Sequence, residues 1–129
     1  MQQIFDEKCY TPELTETLQR IADLGYTTTT VCEFLTAAEF FKILETVNVG
    51  LYRHVYTQFN TKPRDIRRCN SIIEAINSQI PLPIPYIMSQ KLADVPPVDG
   101  CHRMYICEKL FDPNTKFPVL VLTTSKKSN

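Results

Sequence analysis

The stretch from Thr36 to Phe59 has the strongest periodicity in the chain. Its apolar residues recur at i, i+3, i+4, i+7, i+11 and i+15, the spacing of one helix face: Phe40, Ile43, Leu44, Val47, Leu51 and Val55. Thr36 and Glu39 form the pattern of a capping box at its start, where each side chain accepts a hydrogen bond from the other residue's amide. Gly50 costs a helix about 1 kcal/mol relative to Ala, so the helix can bend or break there. The stretch predicts the central helix of a mainly helical domain.

The length and composition are typical of one globular domain. A chain of 129 residues is long enough to bury a core without a metal or disulfide, so we predict a single domain over residues 1–129. No apolar run approaches the about 18 residues needed to cross a bilayer, which predicts no membrane association. The N-terminus is acidic and does not have the pattern of a signal peptide. These features together predict a cytoplasmic or nuclear protein.

The net charge is zero, with 14 basic and 14 acidic residues, but the charges are unevenly placed. A zero total argues against a nucleic-acid binder held by bulk charge. A cluster that we call the basic stripe leaves room for docking on a protein partner with an acidic surface. The alternative is a solvated helix face, which any amphipathic helix has. The basic stripe consists of Arg53, Lys62, Arg64, Arg67 and Arg68.

Turn and cap signals divide the rest of the first 97 residues. Thr11 and Pro12 predict a helix start, and Gly25 predicts its end. The threonines at 27–30 predict a loop or a short extended piece. A further helix is predicted after Pro63, followed by a proline-rich segment at 81–85 that cannot be helical. Residues 89–93 could add one or two helical turns.

After residue 97 the sequence becomes rich in residues that favour strands. Residues 102–110 and 117–124 predict two strands joined by a type I turn at residues 112–115, so residues 98–125 would form a β-hairpin and 126–129 a tail. The predicted fold class is therefore α+β and mainly α, with four to five helices and a C-terminal hairpin.

The second predicted strand has two interpretations. Its segment FPVLVL is core if the strand is central, whereas at an edge it would pair with another strand and could form a homodimer through the hairpin. The edge interpretation gives a further set of candidate partner-binding residues: Tyr86, Phe117, Val119 and Val121.

The cysteines and histidines give one weak metal candidate. Five cysteines with no export signal are most simply free thiols. Cys101, His102 and Cys107 are close in sequence, but zinc needs four ligands and usually shows paired short spacings. No flanking pattern marks a cysteine nucleophile, and three glycines cannot build a usual phosphate loop. We therefore predict no catalytic residue, no cofactor and no metal.

Several short motifs between residues 14 and 92 resemble a known family. They are Leu24-Gly25-Tyr26 at a helix end, Glu39-Phe40-Phe41-Lys42-Ile43 and Leu51-Tyr52 in the next helix, then a helix running into a proline-bearing turn at 72–85 and Ser89. This order of elements resembles the calponin-homology-like heads of the Ndc80 and intraflagellar-transport adaptor class. The resemblance covers about 80 of the 129 residues, which is most of one domain. It implies a non-enzymatic adaptor whose Lys and Arg face meets an acidic polymer or partner.

The sequence alone thus favours a non-enzymatic protein-interaction or adaptor domain, within a larger assembly. Two alternatives stay open at this point. One is a small Cys/His metal- or thiol-dependent protein. The other is a nucleic-acid-binding or viral or host-regulatory accessory protein, for which the zero net charge makes nucleic acid the less favoured ligand.

Overall fold

The computed structural model describes residues 4–127, which form an α+β fold. Within these residues there are five helices and six strands. The helices are α1 (Pro12–Asp23), α2 (Ala37–Val47), α3 (Val49–Gln58), α4 (Pro63–Asn77) and α5 (Cys101–Leu110). The strands are β1 (Phe5–Asp6), β2 (Tyr26–Thr36), β3 (Leu82–Pro83), β4 (Tyr86–Met88), β5 (Val98–Asp99) and β6 (Lys116–Lys126). The predicted α+β class is confirmed.

The larger sheet has four strands in the order β2-β6-β4-β5. Strands β2 and β6 pair antiparallel over their full length, from Tyr26 opposite Lys126 to Thr36 opposite Lys116. Strand β6 also pairs parallel with β4, which in turn pairs antiparallel with β5. Strands β1 and β3 form a separate parallel pair. Strand β6, which carries the segment FPVLVL, therefore lies inside the sheet, with β2 along its whole length on one side and β4 opposite residues 120–122 on the other.

Two apolar clusters form the core. The larger one joins α2, α3, α4 and α5 to the sheet, and the smaller one lies between α1 and the strands β4 and β6. The fully buried Phe40, Leu44 and Val55 come from the apolar face that the sequence predicts for residues 36–59. The predicted apolar face is therefore the buried one, although two shorter helices carry it in place of one long helix.

The predicted central helix is two helices. Its capping box is confirmed, because the Glu39 amide donates to Thr36 Oγ1 at 3.1 Å and the Thr36 amide donates to Glu39 Oε1 at 2.8 Å. The break falls at Asn48, whose non-helical backbone ends α2 and whose side chain caps α3 by accepting from the Leu51 amide. Asn is strongly preferred at helix N-caps, so Asn48 causes the break in the helix, two residues before the position at which Gly50 had predicted it.

The predicted hairpin is wrong in its first half, because residues 101–110 form α5. The turn at residues 112–115 exists, with the Thr115 amide donating to the Asp112 carbonyl at 2.9 Å, but it connects a helix to a strand. Helix α5 is buried around most of its circumference, so it has no polar face to reveal a helical period. A short apolar run of this kind does not distinguish helix from strand.

The four threonines at 27–30 also belong to regular structure. They form the first half of β2, an 11-residue strand in place of the predicted loop or short extended piece. Threonine is β-branched and favours strands, and pairing with β6 satisfies the backbone on one side.

The other boundary predictions have mixed outcomes. Helix α1 begins at Pro12 and Gly25 follows its end with a φ of 88°, as predicted. Residues 89–93 are not helical. Of the predicted tail, Lys126 ends β6, and residues 128–129 lie outside the described part of the chain. No helix within residues 4–127 is long and apolar enough to span a membrane.

Candidate functional site

A cleft of about 270 Å³ opens where the N-terminus of α5 meets α4 and β3. Its walls combine apolar groups from Ile72, Leu82 and Pro83 with charged and polar groups at the mouth of α5. We call it the α5 cleft. The polar and charged lining residues are Arg68, Ser71, Asp99, His102 and Arg103, and Gly100 forms part of the backbone wall.

Gly100 sets the shape of the cleft. Its carbonyl accepts the first helical hydrogen bond of α5, from the Met104 amide at 2.9 Å. Its φ is 110°, a backbone conformation that residues with a side chain rarely adopt. A Cβ here would lie 2.4 Å from Pro85 Cβ and 2.8 Å from Arg103 Nη2. Only glycine therefore lets the Arg103 guanidinium and the backbone of Pro85 approach this closely.

The N-terminus of α5 is a concentration of hydrogen-bond donors. The amides of the first helical turn have no acceptor within a helix, and no side chain among residues 4–127 caps this end of α5. The macrodipole of the helix adds a partial positive charge at the same place. These donors belong to Cys101, His102 and Arg103, two of which line the cleft.

Arg103 is held by an acidic partner but is only partly satisfied. Its Nη2 donates to Asp99 Oδ2 at 3.4 Å, and the Thr11 hydroxyl donates to the same carboxylate oxygen. The Arg103 side chain is only 12% exposed. Its Nε is buried and has no hydrogen-bond partner among residues 4–127. An unsatisfied donor on a buried guanidinium costs free energy unless a ligand or water binds to it.

Arg68 is the one member of the basic stripe that lines the α5 cleft. It lies on α4 with Ser71 and Ile72, three and four residues later, so the three share one helix face. The other four members of the stripe lie outside the cleft and are exposed: Arg53, Lys62, Arg64 and Arg67. Of these, Arg64 has its Nη2 4.0 Å from Asp65 Oδ1. The stripe as a docking surface stays a prediction.

A buried carboxylate holds His102 in place. Asp65 is 1% exposed, and its Oδ1 lies 2.8 Å from His102 Nε2, while its Oδ2 lies 3.3 Å from His54 Nε2. The His102 ring also stacks on Phe59, with ring centroids 4.0 Å apart. Three helices therefore meet at one carboxylate, because His54 lies on α3, Asp65 on α4 and His102 on α5.

The pKa values at this carboxylate identify its charge state. Burial alone would raise the pKa of Asp65, but the hydrogen bond and the positive charge of His102, with the charges of His54 and Arg64, lower it overall. Burial lowers the pKa of His102, and Asp65 opposes that shift only in part. Asp65 is therefore ionised at neutral pH and can only accept, so Nε2 of His102 donates the proton.

The predicted metal candidates are not brought together. Cys101 and Cys107 are buried on α5, and burial raises the pKa of each thiol to about 12, so both are protonated at neutral pH. His102 uses Nε2 on Asp65. No group of three or more His, Cys, Asp or Glu that could hold a metal ion occurs within the described residues.

The second set of predicted partner-binding residues lies mostly in the core. Tyr86, Phe117 and Val119 are 1%, 4% and 0% exposed, and Val121 is half-buried. The Tyr86 hydroxyl lies 2.7 Å from the buried Thr17 hydroxyl. The interpretation of FPVLVL as a sheet edge is therefore corrected, because β6 has neighbours on both sides.

Comparisons with protein-family models, with curated proteins and with solved structures found no match to this chain. The resemblance to calponin-homology-like adaptor heads stays a prediction. The assignment of a site therefore depends on the geometry of the α5 cleft.

Sequence reasoning missed most of this cleft. Residues 98–125 were predicted as a hairpin, whereas Gly100 is the N-cap of a helix, a position at which glycine is accepted. Nothing in the sequence marked Asp65 as buried, since it stands among Arg64, Arg67 and Arg68 on a helix with a solvated face. His102 and Arg68 were named, but for metal binding and for docking.

We predict that Gly100→Ala destabilises the fold more than Gly25→Ala. Both positions have a positive φ, but a Cβ at Gly25 meets nothing within 4 Å, whereas at Gly100 it meets Pro85. The backbone conformation alone costs about 1–2 kcal/mol at either site. Overpacking adds a further cost of about 1–3 kcal/mol at Gly100. Urea unfolding of both variants measures the difference, and equal losses would contradict the close packing of Gly100.

We also predict that stability falls on acidification in two steps. Burial in the folded state depresses the pKa of His102 below its ordinary 6.5. Well above pH 6.5 neither state binds this proton, and the free energy of unfolding has its full value. As the pH falls below 6.5 the unfolded chain takes up the proton first, so the free energy of unfolding decreases. The pKa of Asp65 is depressed below 3.8, so a second loss follows under that pH. His102→Gln keeps an amide donor but does not titrate. The urea midpoint of unfolding should therefore change less with pH just below 6.5 in His102→Gln than in the wild-type protein. Identical pH profiles of the two proteins would contradict the assignment of this step to His102.

Proposed function

We propose that the α5 cleft binds a small molecule that carries a phosphate group, so that the protein acts as a phosphate-ligand-binding domain. The observation that carries this proposal is the meeting of an uncapped helix N-terminus with two arginines in one cleft. Helix N-termini bind phosphate because their free amides and dipole favour an anion. Arginine adds charge-assisted hydrogen bonds that fit phosphate oxygens.

The balance of charge in the cleft favours an anion over a cation. Asp99 is the acidic lining residue, and it already accepts from Thr11 and Arg103. The positive charge of Arg68 has no such partner in the ion pairs of the described residues. The Arg103 guanidinium also lines the cleft, and Asp99 is its one hydrogen-bond acceptor among the described residues. An oxygen-rich anion supplies acceptors for both arginines and for the amides of α5.

The size and lining of the cleft indicate what else the ligand carries. A volume of about 270 Å³ is at the small end of ligand pockets, and Ile72, Leu82 and Pro83 give it an apolar wall. A phosphate group attached to a small organic moiety fits this combination better than phosphate alone. His102, fixed by Asp65, is a further lining residue of the cleft.

The predicted role as a non-enzymatic interaction domain stays a separate proposal. It depends on the whole basic stripe, most of which lies outside the cleft. Arg67 distinguishes the two proposals, because it is an exposed arginine of the same helix as Arg68 but does not line the cleft.

The test is isothermal titration calorimetry with pyrophosphate and a panel of nucleoside phosphates at constant ionic strength. We expect saturable binding in the micromolar to millimolar range, and Arg68→Gln should weaken it at least about tenfold, because a charge-assisted hydrogen bond contributes about 1.5–3 kcal/mol. Arg103→Gln should weaken it at least as much. Arg68 is exposed, so its variant is expected to fold even if the Arg103 variant does not.

Arg67→Gln is the matched control, since it removes the same charge from the same helix. It should leave the affinity within about twofold, because exposed charges act weakly over a distance in salt. Equal weakening by Arg67→Gln and Arg68→Gln would mean binding to the stripe as a whole. No saturable binding of any phosphate compound would overturn the proposal.

A further inference from the structure

We propose that the free edge of β2 pairs with β2 of a second copy of this chain. Within residues 4–127, β2 is an edge strand of the four-stranded sheet and pairs with β6 on one side only. It is 11 residues long, whereas β5 at the opposite edge has two. Its side chains from Thr29 to Phe34 are all exposed. Among the residues that the structure describes, this edge is therefore the longest row of unpaired backbone groups in the sheet.

The register with β6 identifies which backbone groups face outward. The Lys127 amide donates to the Gly25 carbonyl at 2.9 Å, so residues 25 and 127 form a hydrogen-bonded pair. In an antiparallel ladder such pairs occur at every second residue. The odd-numbered residues of β2 therefore bond to β6, and the even-numbered ones direct their N–H and C=O groups away from it. The outward set in the middle of the strand is Thr28, Thr30, Cys32 and Phe34.

Strand β2 has few of the features that protect edges. Natural edge strands are blunted by lysine, proline, bulges or short length. Residues 26–36 contain no lysine and no proline, and their pairing with β6 runs without a bulge. Val31 and Phe34 are 49% and 55% exposed. A long, partly apolar edge without a bulge favours pairing with another strand.

The sequence of β2 is compatible with its own copy as the partner. An antiparallel pair with a twofold axis at Val31 would use the full strand, placing Val31 opposite Val31 and Thr30 opposite Cys32. Every outward-facing residue then meets another outward-facing residue, as the ladder requires. Glu33, the charged residue of β2, would lie opposite Thr29, a hydroxyl donor, and not opposite another carboxylate. The two sheets would become one continuous sheet of eight strands.

This inference replaces the predicted homodimer through the C-terminal hairpin with a different strand. It is independent of the α5 cleft, whose lining residues come from α4, β3, β5 and α5. Failure of phosphate binding would therefore leave it standing, and the reverse is also true.

The test is sedimentation equilibrium of the full chain across the micromolar range. We expect a dimer whose dissociation constant rises at least about tenfold in Val31→Lys, because two like charges would lie directly opposite at the twofold axis. Thr30→Pro, which removes one outward N–H without removing a donor to β6, should weaken it similarly. Ser125→Lys adds the same charge at an exposed position of β6 and serves as the control, with little change expected.

Circular dichroism of each variant checks that the fold is retained. A monomer at the highest concentration, or a dimer that both edge variants leave unchanged, would overturn the proposal. A dimer weakened equally by Ser125→Lys would show a response to net charge and would also overturn it.

Discussion

The hydrogen bond between Asp65 and His102 is the interaction on which the candidate site depends. A carboxylate that is 1% exposed must be paired, because an ion buried without a partner is strongly unfavourable. Asp65 meets this requirement with imidazoles from two other helices, one of them only 2.8 Å away. Removing Asp65 would leave His102 Nε2 without its acceptor, and removing His102 would leave the buried Asp65 Oδ1 without its nearest donor; either change costs more than the intact bond contributes. The bond therefore fixes the first turn of α5 against α4.

The position of α5 determines the chemistry of the cleft. Fixing its first turn fixes the direction of three free backbone amides and places the Arg103 guanidinium over Gly100. Arg68 comes from α4, the helix that also carries Asp65. Helices α4 and α5 thus carry both the residues that hold the site and the residues that would contact the ligand. A ligand that binds between α4 and α5 would stabilise the same junction that Asp65 holds.

The fold was predictable where one local signal dominates. The capping box of Thr36 and Glu39 gave the start of α2, and Gly25 gave the end of α1, since both depend on near neighbours in sequence. Helix α5 was not predictable, because burial on nearly all sides removes the polar face from which its period would be read. The length of β2 was missed because it comes from pairing with β6, about 90 residues away.

The cleft was hidden from sequence reasoning for the same physical reason. Arg68, Gly100 and Arg103 have separate local meanings, and only the packing of α4 on α5 makes them neighbours. Asp65 reads as one more charge on a solvated helix until His54 and His102 are brought to it. Distances between elements, and not residue types, define the site.

The most direct test of the central claim is a titration of ¹⁵N-labelled protein with pyrophosphate, followed by amide resonances. We expect the largest shifts at the Cys101, His102 and Arg103 amides, because these free donors would bind the anion. Shifts confined to exposed members of the basic stripe, such as Lys62 and Arg67, or no shifts at all, would contradict the assignment of the α5 cleft as the binding site.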